Sequence, residues 1–190
     1  MRNFSKNNKI LIAGSGISGL VSALILKKNG FNPILYDKAS HCGQNRHGDF
    51  EGLETWNLYK EPILKLRDFG IKTSFNFESF KNFEVHIPER KTISIISPEP
   101  FFHILSRGDK PGDLDYELQC QVEKEKIEIN FNTKLEKNKV DIFATGSNKA
   151  SAFIQGITFT TSRKNQIHLI LGNNIAPMGY AYLIIVNGKA

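Results

Sequence analysis

Apolar and polar positions change their spacing several times along the chain, and each change marks an element. KILIA, Lys9 to Ala13, is apolar almost throughout, as a parallel strand covered on both faces should be. From Ile17 the spacing becomes helical: Ile17, Leu20, Val21, Leu24 and Ile25 fall at i, i+3, i+4, i+7 and i+8, one wide stripe. The helix should stop at Lys28-Asn29-Gly30, with cations in its last turn and a glycine able to take the left-handed cap conformation. A second strand, Ile34 to Tyr36, is opened by Pro33 and ends in Asp37. The stretch HCGQNRHGDFEGLETWNLYK reads as a polar loop leading to a helix from Glu61 to Phe69, which Gly70 ends.

Short strand-like runs follow, FEVHI, TISII and FFHIL, with turns at Pro88 to Arg90 and at Ser97 to Pro100. They predict a small inserted antiparallel sheet. GDLDYELQCQVEKE returns to helical spacing, with Asp113 as N-cap and Leu114, Leu118 and Val122 one turn apart. Strands IEINF and VDIFAT come next, the second running out at Gly146, and GITFTT, QIHLIL and YAYLIIV predict three more. No repeat, low-complexity tract or flexible linker interrupts this order.

The first apolar run has a competing reading as a signal sequence. Ile10 to Leu26 falls short of the roughly 20 residues that span a bilayer, and no small-x-small cleavage site follows it. Lys27, Lys28 and Asn29 come instead, and then another strand.

A nucleotide-binding reading explains more. Gly14, Gly16 and Gly19 form G-x-G-x-x-G between strand and helix. In that arrangement the first glycine makes the tight turn, the second admits a pyrophosphate to the backbone, and the third allows close helix–strand packing. The helix start at Ile17 and Ser18 offers unpaired N–H groups and a partial positive charge. Asp37 is placed to accept from an adenosine ribose, and Lys38 beside it is a hint of a 2′-phosphate. Strand, glycines, helix, strand and terminal acid in register predict an α/β, Rossmann-like FAD/NAD(P)-binding βαβ domain. The same residues suit FAD and NAD(P) alike.

Composition narrows the partners. In 190 residues, 25 Lys and Arg against 19 Asp and Glu give a net charge of +6, with 40% hydrophobic and 23% charged residues. The lysines are scattered and form no basic block with interleaved aromatics, which argues against nucleic acid as partner. A phosphate-bearing cofactor, or peripheral contact with an anionic membrane surface, suits the charge better. Two cysteines, Cys42 and Cys120, make no disulfide framework, and the cytoplasm is the expected compartment. His41, Cys42 and His47 lack the spacing of a zinc site, so a polar loop and no metal is expected there. His86, His103 and His168 stand singly in strand-like runs, and Glu61, Asp68 and Glu78 have no evident pairing. No catalytic residue is assigned.

The fingerprint together with HGDFEGLETW, ILSRGDKPGDLDYEL, DIFATGSN and APMGYAY resembles the geranylgeranyl reductase-like group of flavin-dependent oxidoreductases, within the p-hydroxybenzoate hydroxylase superfamily. The resemblance runs along nearly the whole chain. It implies that Gly14, Ser15, Gly16 and Gly19 hold the FAD pyrophosphate and that Asp37 binds the ribose. It also implies that Arg107 lies near the flavin and that Ala144-Thr145-Gly146 passes close to the cofactor. GYAY resembles the group's Y-x-W element, with Tyr182 in place of Trp.

The implied activity is hydride transfer through FAD to or from a hydrophobic substrate, isoprenoids among the candidates, with NAD(P)H as possible electron donor. The group's later Gly-Asp motif has no counterpart, so an amino-terminal portion of a longer enzyme is expected. The dinucleotide-binding domain is expected at 1–50 and 106–156, and β-rich substrate-side segments at 51–105 and 157–190. Two alternatives stand beside this: a dehydrogenase or module that takes NAD(P) only, and a non-catalytic remnant acting through protein interaction. Oligomeric state is not legible.

Overall fold

The computed structural model describes residues 9–46, 48–55, 61–146 and 153–190. In chain order the elements are β1 (Lys9–Ala13), α1 (Ile17–Lys28), β2 (Asn32–Tyr36), β3 (Phe50–Glu54), α2 (Pro62–Asp68), β4 (Phe77–Phe80), β5 (Asn82–His86) and β6 (Ile93–Ile96). They continue with β7 (Phe102–Ser106), α3 (Leu114–Lys124), β8 (Glu128–Asn130), β9 (Ile142–Phe143), β10 (Gln166–Ile170) and β11 (Ala181–Ile185). The described residues fall into two compact units. One is drawn from Met1–Asp49, Lys60–Asn76 and Leu105–Ser151, the other from Phe50–Tyr59, Phe77–Ile104 and Ala152–Ala190.

The first unit is built on a parallel sheet of order β8-β2-β1-β9. Apolar residues run continuously through its central strands because both faces are covered: Ile10, Ile12, Ile34 and Leu35 are buried. Each such side chain removed from water contributes roughly 1.5–3 kcal/mol. Pro33 is tolerated in β2 because β8 pairs only with Ile34, Leu35 and Tyr36, so no ladder on that side needs its missing N–H.

Helix α1 ends as its sequence predicts. Gly30 takes φ +84°, its N–H bonds Lys27 O, and the N–H of Phe31 reaches back to Leu26 O at 3.0 Å, a Schellman cap. Its buried face differs from the predicted stripe. Gly19, Leu20, Ala23 and Leu24 are buried, while Ile17, Val21 and Ile25 are half-exposed. The helix turns its two small residues inward because close approach to the sheet gains more contact than a wider apolar face would. Helix α3 places Leu114, Leu118 and Val122 in the core as expected and packs against α1. Asp113 has the extended backbone of an N-cap, but its carboxylate accepts from the Lys110 N–H rather than from the helix.

The second unit holds two sheets, β11-β10-β5-β6 and β3-β7-β4. Phe80, Ile104 and Ile167 form its core, with Phe50, Phe83, Phe102, Ile184 and Val186 packed around them. The expected antiparallel insertion is corrected here: β5 pairs antiparallel with β6 but parallel with β10, so the sheet is mixed and needs residues 166–185. Strands β3 and β4 were not predicted. FEGLE, with Glu51 and Glu54, and FESF, with Glu78, lack a strand-like apolar run and read as loop, yet each supplies an edge beside β7. GITFTT forms no strand; its contacts include a bridge between Thr160 and Lys189, a pair of backbone bonds joining Phe159 to Ala190, and a bond from Thr161 N–H to Gly188 O at 2.9 Å.

Residues 61–76 also depart from expectation, belonging to the first unit rather than to a substrate-side segment. Glu61 caps α2 by accepting from the N–H groups of Ile63 and Leu64. Gln121 of α3 both donates to Lys72 O and accepts from Lys72 N–H, and Ser74 donates to Glu117 at 2.8 Å. Side-chain bonds therefore tie this segment to α3.

Candidate dinucleotide site

At the carboxyl end of β1 the sheet reverses its order, since α1 leads to β2 on one side and β9 lies on the other. In open parallel sheets ligands occupy the crevice at such a switch point. Gly14 turns the chain there with φ +102°, and a Cβ on it would stand 2.3 Å from Ala144 O. A Cβ on Gly19 would stand 1.9 Å from Gly14 O, so close packing requires that glycine too. Gly16 is different. Its φ is −73°, open to any residue, and a Cβ there would meet nothing within 4 Å. Local packing does not require glycine at position 16; free space lies over its backbone.

That space faces the start of α1. The first intrahelical bond of the helix runs from Leu20 N–H to Gly16 O at 3.0 Å, leaving the N–H groups of Ile17, Ser18 and Gly19 without an intrahelical acceptor. No side chain caps this end and its first turn holds no acid. The partial positive charge of the helix is therefore not neutralised by the helix's own side chains. These features fit a pyrophosphate: three donors, a favourable dipole and room for the anion over Gly16.

Ser15 plays another part. It is buried, and both its N–H and its hydroxyl donate to Asp37 Oδ2, the hydroxyl at 2.8 Å. Asp37 Oδ1 accepts from Ala39 N–H at 2.9 Å. Three of the roughly four acceptor positions of the carboxylate are thus used, leaving capacity for a ribose hydroxyl. Ser15 orients Asp37 and has no donor left for phosphate. Lys38 is exposed, and Ala144, Thr145 and Gly146 leave the end of β9, Gly146 in open space at φ +77°.

Arg107 does not face solvent as a turn charge would. It is buried and forks onto Asp115, with Nε donating to Oδ2 at 2.7 Å and an Nη to Oδ1 at 2.9 Å. The N–H of Gly108 adds a bond to the same carboxylate at 3.2 Å. Sequence reasoning missed Asp115, because a partner eight positions away across a glycine turn lies outside any helical or strand spacing.

Cys42 and Cys120 are free thiols. Cys42 is buried beside Ser15, and burial pushes its thiol from 9.0 up to about 11, the nearby carboxylates of Asp37 and Asp115 adding to the effect. Between pH 9 and 11 the unfolded chain releases a proton that the folded chain keeps, so stability should fall as pH rises through that window, by roughly 2–3 kcal/mol in all. Thiol titration with a disulfide reagent near neutral pH should modify Cys120 readily, and Cys42 only after denaturant is added.

His47 lies outside the described residues, as do Ser147 and Asn148 of the DIFATGSN stretch. His103 is buried and bonded to Ser79 Oγ at 2.8 Å. His86 and His168, which stand apart in the sequence, are neighbours on one sheet face, 2.9 Å from Nε2 to Nδ1. Tyr180 and Tyr182 are exposed with ring centroids 6.2 Å apart. Among the described residues no helix is long and apolar enough to cross a membrane.

Known proteins place this geometry in context. A family model described as an NAD(P)-binding Rossmann-like domain matches residues 12–51. A geranylgeranyl bacteriochlorophyll reductase-like protein from Thermoplasma acidophilum superposes with a TM-score of 0.67 at 18% identity, over 96% of this chain and 55% of that one. PqsL of Pseudomonas aeruginosa, described as a probable FAD-dependent monooxygenase, gives 0.57 at 15% identity, over 86% and 54%. The bifunctional tRNA 5-methylaminomethyl-2-thiouridine biosynthesis protein MnmC of Campylobacter fetus is 27% identical over 110 residues, 52% of this chain and 18% of that protein. The chain spans about half the length of the similar solved structures and under a fifth of that curated relative. The fold is therefore that of the amino-terminal part of a geranylgeranyl reductase-like structure, and the Rossmann-like α/β class expected from the sequence is the one found.

Proposed function

We propose that this chain supplies the FAD-binding part of a flavin-dependent oxidoreductase that transfers hydride to or from a hydrophobic substrate. The observation that carries the reading is the free space over Gly16 facing three N–H groups of an uncapped helix, at the switch point of a parallel sheet. Likeness along nearly the whole chain to a reductase-like structure, and to a second one described as FAD-dependent, supports FAD over NAD(P) alone. The flavin, when bound, supplies the hydride chemistry. The residues of this chain bind and orient: Ile17, Ser18 and Gly19 donate to the phosphates, and Asp37, fixed by Ser15, accepts from the ribose. Isoprenoid chains are the favoured substrate class, NAD(P)H the electron donor, and contact with an anionic membrane surface is peripheral.

Titration with FAD, followed by quenching of flavin fluorescence, tests the reading on this chain and on any longer form that contains it. Saturable binding of FAD in preference to NADPH is expected; binding of NADPH alone would overturn it. Asp37→Ala should weaken FAD binding about tenfold, since it removes a ribose acceptor and frees Ser15.

A further inference from the structure

One side-chain cluster in the second unit has no part in nucleotide binding. Strands β5 and β10 run parallel with His168 opposite Glu84 and Ile170 opposite His86. Alternate residues of a strand share a face, so Glu84, His86 and His168 project together from one side of the sheet. His86 Nε2 lies 2.9 Å from His168 Nδ1, and Glu84 Oε2 lies 3.4 Å from the first nitrogen and 3.2 Å from the second.

We infer that Glu84, His86 and His168 form a binding site for a divalent transition-metal cation, with Zn²⁺ the best match. Zinc binds imidazole nitrogen and carboxylate oxygen at about 2.0–2.2 Å, so ligand atoms on one face of its tetrahedron stand about 3.3 Å apart. The three observed separations, 2.9, 3.2 and 3.4 Å, bracket that edge. Two imidazoles and one carboxylate are also a donor set that transition metals favour over Mg²⁺ or Ca²⁺, which prefer oxygen alone. Thr92 supplies an outer contact, its hydroxyl 3.1 Å from His86 Nδ1. In the tautomer that protonates Nδ1, this hydroxyl accepts from Nδ1–H and the lone pair on Nε2 faces the cluster, as a metal ligand requires. The side chains are 46%, 35% and 18% exposed for Glu84, His86 and His168, so a cation can enter from solvent and keep water as its fourth ligand.

The test uses the full chain, stripped with a chelator and titrated with Zn²⁺ in competition with a chromogenic chelator. One equivalent should bind, and Co²⁺ in its place should give the visible absorption of a four-coordinate ion. His168→Ala and Glu84→Gln should each weaken binding about tenfold or more. The double substitution of Cys42 and Cys120 by serine should leave it unchanged. If His168→Ala fails to fold, Glu84→Gln, at an exposed position, decides alone. Zn²⁺ binding unaltered in Glu84→Gln, or no bound equivalent in the parent chain, would overturn the site and mark the cluster as a hydrogen-bonded network only.

Discussion

Replacing Asp115 with alanine should cost about 3–5 kcal/mol of folding stability, read as a lowered urea midpoint at unchanged slope. Arg107 and Asp115 have side chains only 7% and 2% exposed, and the fork between them joins the β7–α3 turn to the first turn of α3. Removing the acid leaves a buried guanidinium without its bidentate partner, and the Gly108 N–H loses its acceptor as well. Domains of this size are stable by only about 5–15 kcal/mol, so the loss is a large fraction of the total. Changing both residues together, Arg107→Met with Asp115→Leu, should cost less than Asp115→Ala, because no buried charge is then stranded. Equal or greater loss in the double variant would show that the pair contributes more than mutual neutralisation.

Gly16→Val should separate binding from folding. Its backbone conformation suits any residue and its Cβ would enter open space, so the fold should lose no more than the roughly 1 kcal/mol of helix-cap preference. The side chain would stand where the pyrophosphate must approach. Losing two charge-assisted N–H bonds at about 1.5–3 kcal/mol each should weaken FAD binding by about 10²-fold or more. Gly19→Ala makes the opposite control: its Cβ would collide with Gly14 O, so stability and binding should fall together. A Gly16→Val protein that melted with Gly19→Ala, or bound FAD normally, would remove the physical basis of the proposed site.

These two contrasts show what could be read from residues alone. The β1–α1–β2 unit was legible to within a residue or two because its signals are local: an apolar run, three glycines, a helical stripe and a capped end. The end of α2 at Gly70 and the core positions of α3 were legible for the same reason. What escaped depends on distant partners. Strands β3 and β4 gain their identity from pairing with β7, since their own charged residues argue against burial. Arg107 gave no sign of its fork with Asp115, because the fork forms only after a turn brings α3 back. His86 and His168 meet through a parallel pairing of β5 with β10, which no spacing rule anticipates. Ser15 looked like part of a phosphate cradle, but the acid at the end of β2 claims both of its donors.

The two units are interleaved along the chain, and this bears on biosynthesis. Neither unit is one contiguous stretch, since each is assembled from three separate segments, so neither can be excised or transplanted as a single cassette. On the ribosome the hairpin of β5 and β6 must wait with a bare flank until β10 has emerged, and a lone hairpin is marginal in water. The nascent polypeptide thus passes through a stage in which a pairing-competent edge is offered to any neighbour, the circumstance in which folding helpers or close spacing of ribosomes would govern yield.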